Sequence, residues 1–106
     1  MTKQDVVEVL RAVTAEQELQ WMIDLGVSLT IAARDAYPKD EQPAKSLRLV
    51  GFNELQHQVY GRIRQLRRGE EWTLESFLDG LLQRAQHYEI SGGLSWALGA
   101  AISFLK

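Results

Sequence analysis

The residues best equipped for chemistry lie along Ser46 to Gly69, a stretch that reads as one long helix. Asn53, His57, Tyr60 and Arg64 follow one another at i, i+4, i+7 and i+11. At helical spacing a carboxamide, an imidazole, a phenol and a guanidinium therefore share one flank. Such a row could bind an anionic or carboxamide-bearing ligand, with His57 carrying a proton near neutral pH. The plainer alternative is a polar flank that hydrogen-bonds to neighbouring helices or to water, as amide and imidazole side chains commonly do.

Within the same stretch, Glu54 and His57 make Glu-x-x-His, the pair used twice over in carboxylate-bridged di-iron bundles. That site also needs two further glutamates, and the second histidine, His87, has no carboxylate three residues before it. No metal site is expected on this ligand set. The chain has no cysteine, which excludes disulfides, thiolate nucleophiles and cysteine-ligated metals. Its serines stand in no nucleophile-elbow context, and Glu70-Glu71 reads as a solvated turn. Catalysis is thus the minor reading, and no cofactor is expected.

Arg62, Arg64, Arg67 and Arg68 form the densest basic cluster, with Arg48 upstream. A nucleic-acid-associated regulator would set Arg64, Arg67 and Arg68 against phosphates. Complementing the dipole at a helix C-terminus explains most of these positions without a partner. Ser91-Gly92-Gly93 could form an anion-binding nest, but with no P-loop lysine it reads better as a glycine turn between helices.

The elements that must position these groups are helical throughout. With 106 residues, 45% of them hydrophobic and 25% charged, the chain is expected to form one domain, residues 1–106, around one core. Val6, Val7, Val9, Leu10 and Val13 predict a short first helix, capped by Thr2 and ending near Val13. Thr14 and Gln17 fit a capping box that opens a second helix running to about Tyr37, where Pro38 stops it. Residues 38–43 read as a solvated loop. Phe52, Leu55, Val59, Ile63 and Leu66 give the third helix its apolar stripe, with Gly69 as its stop.

Thr73 reads as the cap of a fourth helix, in which Leu74, Phe77, Leu78, Leu81, Leu82, Ala85 and Tyr88 recur at i, i+3, i+4. Ser91-Gly92-Gly93 is expected to break it before a last helix from about Leu94 to Leu105. The fold class that follows is all-α, a compact bundle of four main helices plus a short N-terminal one.

Two helices carry more apolar surface than a bundle this small readily hides. The second has Leu19, Met22, Ile23 and Gly26 on one stripe and Trp21, Leu25, Leu29 and Ala32 on another. On the last helix Leu94, Ala97, Leu98, Ala101, Ile102 and Leu105 form a stripe, Trp96 and Phe104 add bulk elsewhere, and Ser95, Gly99 and Ser103 make a small-residue seam. The surplus predicts self-association, most simply a homodimer, with Trp21, Leu25, Trp96 and Phe104 as contact residues. A non-enzymatic protein-interaction module is the expected function. A net charge of −2 supplies no global attraction to nucleic acid or anionic lipid. The apolar tail is shorter than the roughly 20 residues a membrane span needs, and Glu8 and Arg11 interrupt any leader-like run, so a cytoplasmic setting is expected.

Overall fold

The computed structural model describes residues 2–36, 47–69 and 73–105. Five helices account for most of them: α1 (Lys3–Leu10), α2 (Ala15–Ala36), α3 (Leu47–Arg67), α4 (Leu74–His87) and α5 (Ser91–Ser103). The expected loop at 38–43, the stop at Pro38 and the Glu70-Glu71 turn lie outside the described residues.

Local chemistry fixes where two of the helices start. The Thr2 hydroxyl accepts from the Asp5 amide at 3.2 Å, and the Asp5 carboxylate accepts from the Thr2 amide at 3.0 Å. Thr14 and Gln17 repeat the reciprocal arrangement at 3.2 and 2.9 Å ahead of α2. Each box satisfies two amides that the first turn of a helix leaves without an intrahelical acceptor. Thr73 occupies the N-cap of α4 without a side-chain cap bond. α1 is shorter than its valine pattern predicts and stops at Leu10, because Arg11 to Val13 turn the chain toward the Thr14 cap. At the end of α3, Gly69 takes φ +72°, a left-handed conformation that glycine adopts without a β-carbon penalty.

The break between α4 and α5 does not fall at the glycines. Glu89 adopts φ 59°, its amide donates to Gln86 O at 3.2 Å, and the Ile90 amide donates to Ala85 O at 2.8 Å. This pair of bonds is a Schellman motif with glutamate where glycine is usual, and Ile90 and Ala85, the positions such a motif joins, are both buried. Ser91, Gly92 and Gly93 then form the first turn of α5. The reason lies in packing: a β-carbon on Gly93 would stand 2.6 Å from Cζ of Phe52, so the glycine admits α3's aromatic ring. Gly51 serves the same corner from the other side, since a β-carbon there would lie 2.5 Å from Tyr88 Cβ.

α2 packs against α3 on one side and α5 on the other; α4 closes the opposite side against the same two helices, and α1 rests on α4 and α5. The described residues extend 43 × 26 × 19 Å with a radius of gyration of 13.6 Å, close to the roughly 13 Å of a folded 100-residue chain. The core draws Trp21, Met22, Leu25 and Leu29 from α2, Phe52, Leu55 and Val59 from α3, Leu78 and Leu81 from α4, and Leu94, Ala97 and Leu98 from α5. Burying each large side chain contributes about 1.5–3 kcal/mol before the entropy of ordering it is subtracted. Lys3 holds α1 to α4 through Asp79 at 2.9 Å, and Arg11 reaches Glu75 at 3.6 Å.

Candidate functional site

The polar row on α3 lies at the protein surface. Asn53, His57 and Arg64 are exposed, while Tyr60 leans over the α2–α3 seam. There the seam is narrow because Gly26 has no side chain: a β-carbon at Gly26 would sit 3.3 Å from Tyr60 Cε1. Next to it the Gln56 amide donates to the Thr30 hydroxyl, which itself donates to Gly26 O at 3.2 Å. Beside His57 is a hollow of about 210 Å³ lined by Gln58, Gly61, Arg62 and Gln65. Every residue lining it belongs to α3, so among the described residues no second element lines this hollow.

Glu54 and His57 do not work as a pair. Glu54 points toward α4, where its carboxylate lies 3.6 Å from Arg84 Nε, whereas His57 is exposed on the outer flank. Three residues apart, the two lie only about 60° from each other around α3; what parts them is that Glu54 is engaged by Arg84 of α4 while His57 faces outward. Among the described residues no three His, Asp or Glu side chains gather closely enough to hold a metal ion.

Instead, tertiary structure collects Glu54, Gln83, Arg84, His87 and Tyr88 around a hollow of about 410 Å³ between α3 and α4. His87 meets Tyr88 edge-on with ring centroids 4.8 Å apart, and Arg84 also donates to Gly80 O at 3.1 Å. Sequence spacing could have signalled the α4 half, since residues 84, 87 and 88 share a helix face. Glu54 joins them only through the packing of α3. The group is an open, water-facing ion pair with an aromatic neighbour, and the Glu54–Arg84 contact is worth little in that setting.

Arg64, Arg67 and Arg68 are exposed at the C-terminal end of α3, while Arg62 turns aside and donates to Gln65 at 2.7 Å. The Ser-Gly-Gly segment is helical first turn rather than a nest between elements, with the Leu94 amide already bonded to Ile90 O at 3.0 Å.

Among the four expected contact residues the structure makes a sharp division. Trp21 and Leu25 are fully enclosed by the chain's own core, so they form no part of a surface open to a second molecule. The two stripes read on α2 merge into one buried arc because α3 and α5 flank this helix on both sides. Trp96 and Phe104 do stand at the surface, 48% and 68% exposed. The apolar exposure on α2 comes from residues that the stripes leave out: Val27 at 54% and Ile31 at 42%. Their i, i+4 spacing, rotated off the buried arc, is the signal that would have found them.

These residues form a related group. α2 sits between α3 and α5, with Tyr60 against Gly26 on one flank and Trp96 lining a small hollow with Ala32 and Asp35 on the other. The outward arc of α2 between those flanks carries Val27 and Ile31. Among the described residues no helix is long and apolar enough to cross a membrane. No protein-family model matches this chain, and neither does any curated protein or solved structure.

Proposed function

We propose that this protein is a non-enzymatic interaction module that associates with a second copy of itself through apolar helix surface. The observation that carries the reading is the outward arc of α2, where Val27 and Ile31 lie exposed between Tyr60 and Trp96. Apolar groups scattered singly over a surface are ordinary, whereas neighbouring ones mark contacts. An aromatic at the edge of such a patch anchors binding energy efficiently, and closed two-fold dimers are the commonest soluble assembly. Residues 1–106 would act as one unit in the cytoplasm, where a chain without cysteine loses nothing to the reducing environment.

Light scattering across a dilution series tests the reading directly. A mass of two chains that persists to low concentration is expected, and a single-chain mass at every concentration overturns it. Trp96→Ala should weaken assembly more than Arg68→Ala, which removes a charge far from the apolar group; equal effects count against the patch. The joint exposure of Arg64, Arg67 and Arg68 supports a second reading, contact with nucleic-acid phosphates. That reading requires affinity that falls steeply with salt, and no binding at low salt would end it.

A further inference from the structure

The outward arc of α2 has a charge pattern that specifies how a second copy would sit. In order along the arc are Asp24, Val27, Ile31 and Arg34, an acid three residues before the first apolar side chain and a base three residues after the second. At 100° per residue all four fall within about 80° of helix circumference, and they span roughly 15 Å of helix axis. Leu29 marks the midpoint of the series and faces the opposite way, into the core.

We infer that two copies of this chain pair α2 against α2 in antiparallel fashion about a two-fold axis level with Leu29. The inference rests on the self-association proposed above and adds the surface, the direction and the register. A two-fold contact demands a patch complementary to itself. Antiparallel pairing centred on Leu29 brings Val27 level with Ile31 of the second copy and Asp24 level with Arg34 of the second copy, twice over by symmetry. Parallel pairing would instead set Asp24 against Asp24 and Arg34 against Arg34, and juxtaposed like charges select against that arrangement.

The charges are available for this role. Arg34 is exposed and makes no ion pair among the described residues, and Asp24 accepts only a hydrogen bond from Gln20 at 3.0 Å on its own helix. Tyr60 and Trp96 flank the arc, widening a single helix strip toward the roughly 800 Å² per partner that a stable dimer buries.

The test is a charge exchange on the full chain, read by sedimentation velocity with circular dichroism as the check on folding. Asp24→Arg and Arg34→Asp each place like charges together at both ends of the contact and should raise the dimer dissociation constant by about tenfold or more. The double variant Asp24→Arg/Arg34→Asp restores opposite charges and should return the constant to near its starting value. Val27→Glu, at a position 54% exposed, should abolish the dimer while leaving the helical circular dichroism signal in place. A dimer indifferent to all of these changes overturns the α2 pairing and leaves self-association standing on another face. Failure of the double variant to recover overturns the antiparallel register. A monomer at every concentration overturns both the pairing and the reading beneath it.

Discussion

The ring of Phe52 on α3 occupies the space where Gly93 on α5 would carry a β-carbon, with Cζ 2.6 Å from that position. The first turn of α5 and the ring of α3 are therefore fitted to each other at contact distance, and the glycine is a packing requirement. A methyl group there must displace either the ring or the helix.

Gly93→Ala should accordingly destabilise the fold by about 1–3 kcal/mol, the usual cost of overpacking a close contact. Gly92, one residue earlier, has nothing within 4 Å of a β-carbon. Gly92→Ala should be neutral or stabilising by up to about 1 kcal/mol, through reduced backbone entropy in the unfolded chain. Urea denaturation of the two variants side by side checks the contrast, and similar midpoints would refute it.

Glu89 sits in left-handed backbone at the Schellman turn with φ 59°. An L-residue there costs roughly 1–2 kcal/mol that glycine does not. Glu89→Gly should raise stability by about 1 kcal/mol, less the greater unfolded-state freedom of glycine. Glu89→Val should lower it, because a branched β-carbon suits that region worst. The denaturation midpoint reads both signs.

Trp21 is fully buried, and its indole Nε1 has no hydrogen-bond partner among the described residues. Leaving a buried donor unmet costs about 1–3 kcal/mol, which offsets part of what the large ring contributes. Trp21→Phe should therefore cost distinctly less than Trp21→Ala, for which about 3–5 kcal/mol is expected from the cavity. Both variants remove the donor, so Trp21→Phe, which keeps most of the ring, isolates its cost: stability held or raised bears the cost out, and a loss near that of Trp21→Ala discounts it.

The capping of α1 and its contact with α4 should depend on pH at opposite extremes. Hydrogen bonding from the Thr2 backbone amide, then from its hydroxyl, holds the Asp5 carboxyl below its ordinary 3.8. That stabilisation is complete above the ordinary value and is lost as pH falls through the lowered one. The hydrogen bond to Asp79 holds Lys3 above its ordinary 10.5, so its contribution is complete below 10.5 and is lost as pH rises through the raised value. Backbone NMR shifts of Val6 and Val7 should move in both windows. Asp5→Asn should flatten the acid limb alone, and an unchanged acid limb in that variant would discount the capping carboxylate.

Much of this structure is legible from side-chain order, because helix formation and capping act over three or four residues. The Thr2 and Thr14 caps, the Gly69 stop, and the buried faces Phe52, Leu55, Val59, Ile63 and Phe77, Leu78, Leu81, Ala85 follow from spacing alone. The class of fold follows with them. Packing decided the rest, since it depends on which helices become neighbours. Periodicity marks Trp21 and Leu25 as apolar but cannot say whether the chain's own helices or another molecule will cover them. α3 and α5 cover them, and Val27 and Ile31 remain outside. Gly93 reads as a breaker until Phe52 is seen to need its space, and nothing in the Glu-x-x-His spacing of Glu54 and His57 tells that Arg84 of α4 engages the glutamate. Short-range hydrogen bonding and hydrophobic periodicity set the helices and their apolar faces, and both can be read from the order of side chains. Which of those faces were used up depended on the assembled bundle, because burial is a property of neighbours distant in the chain.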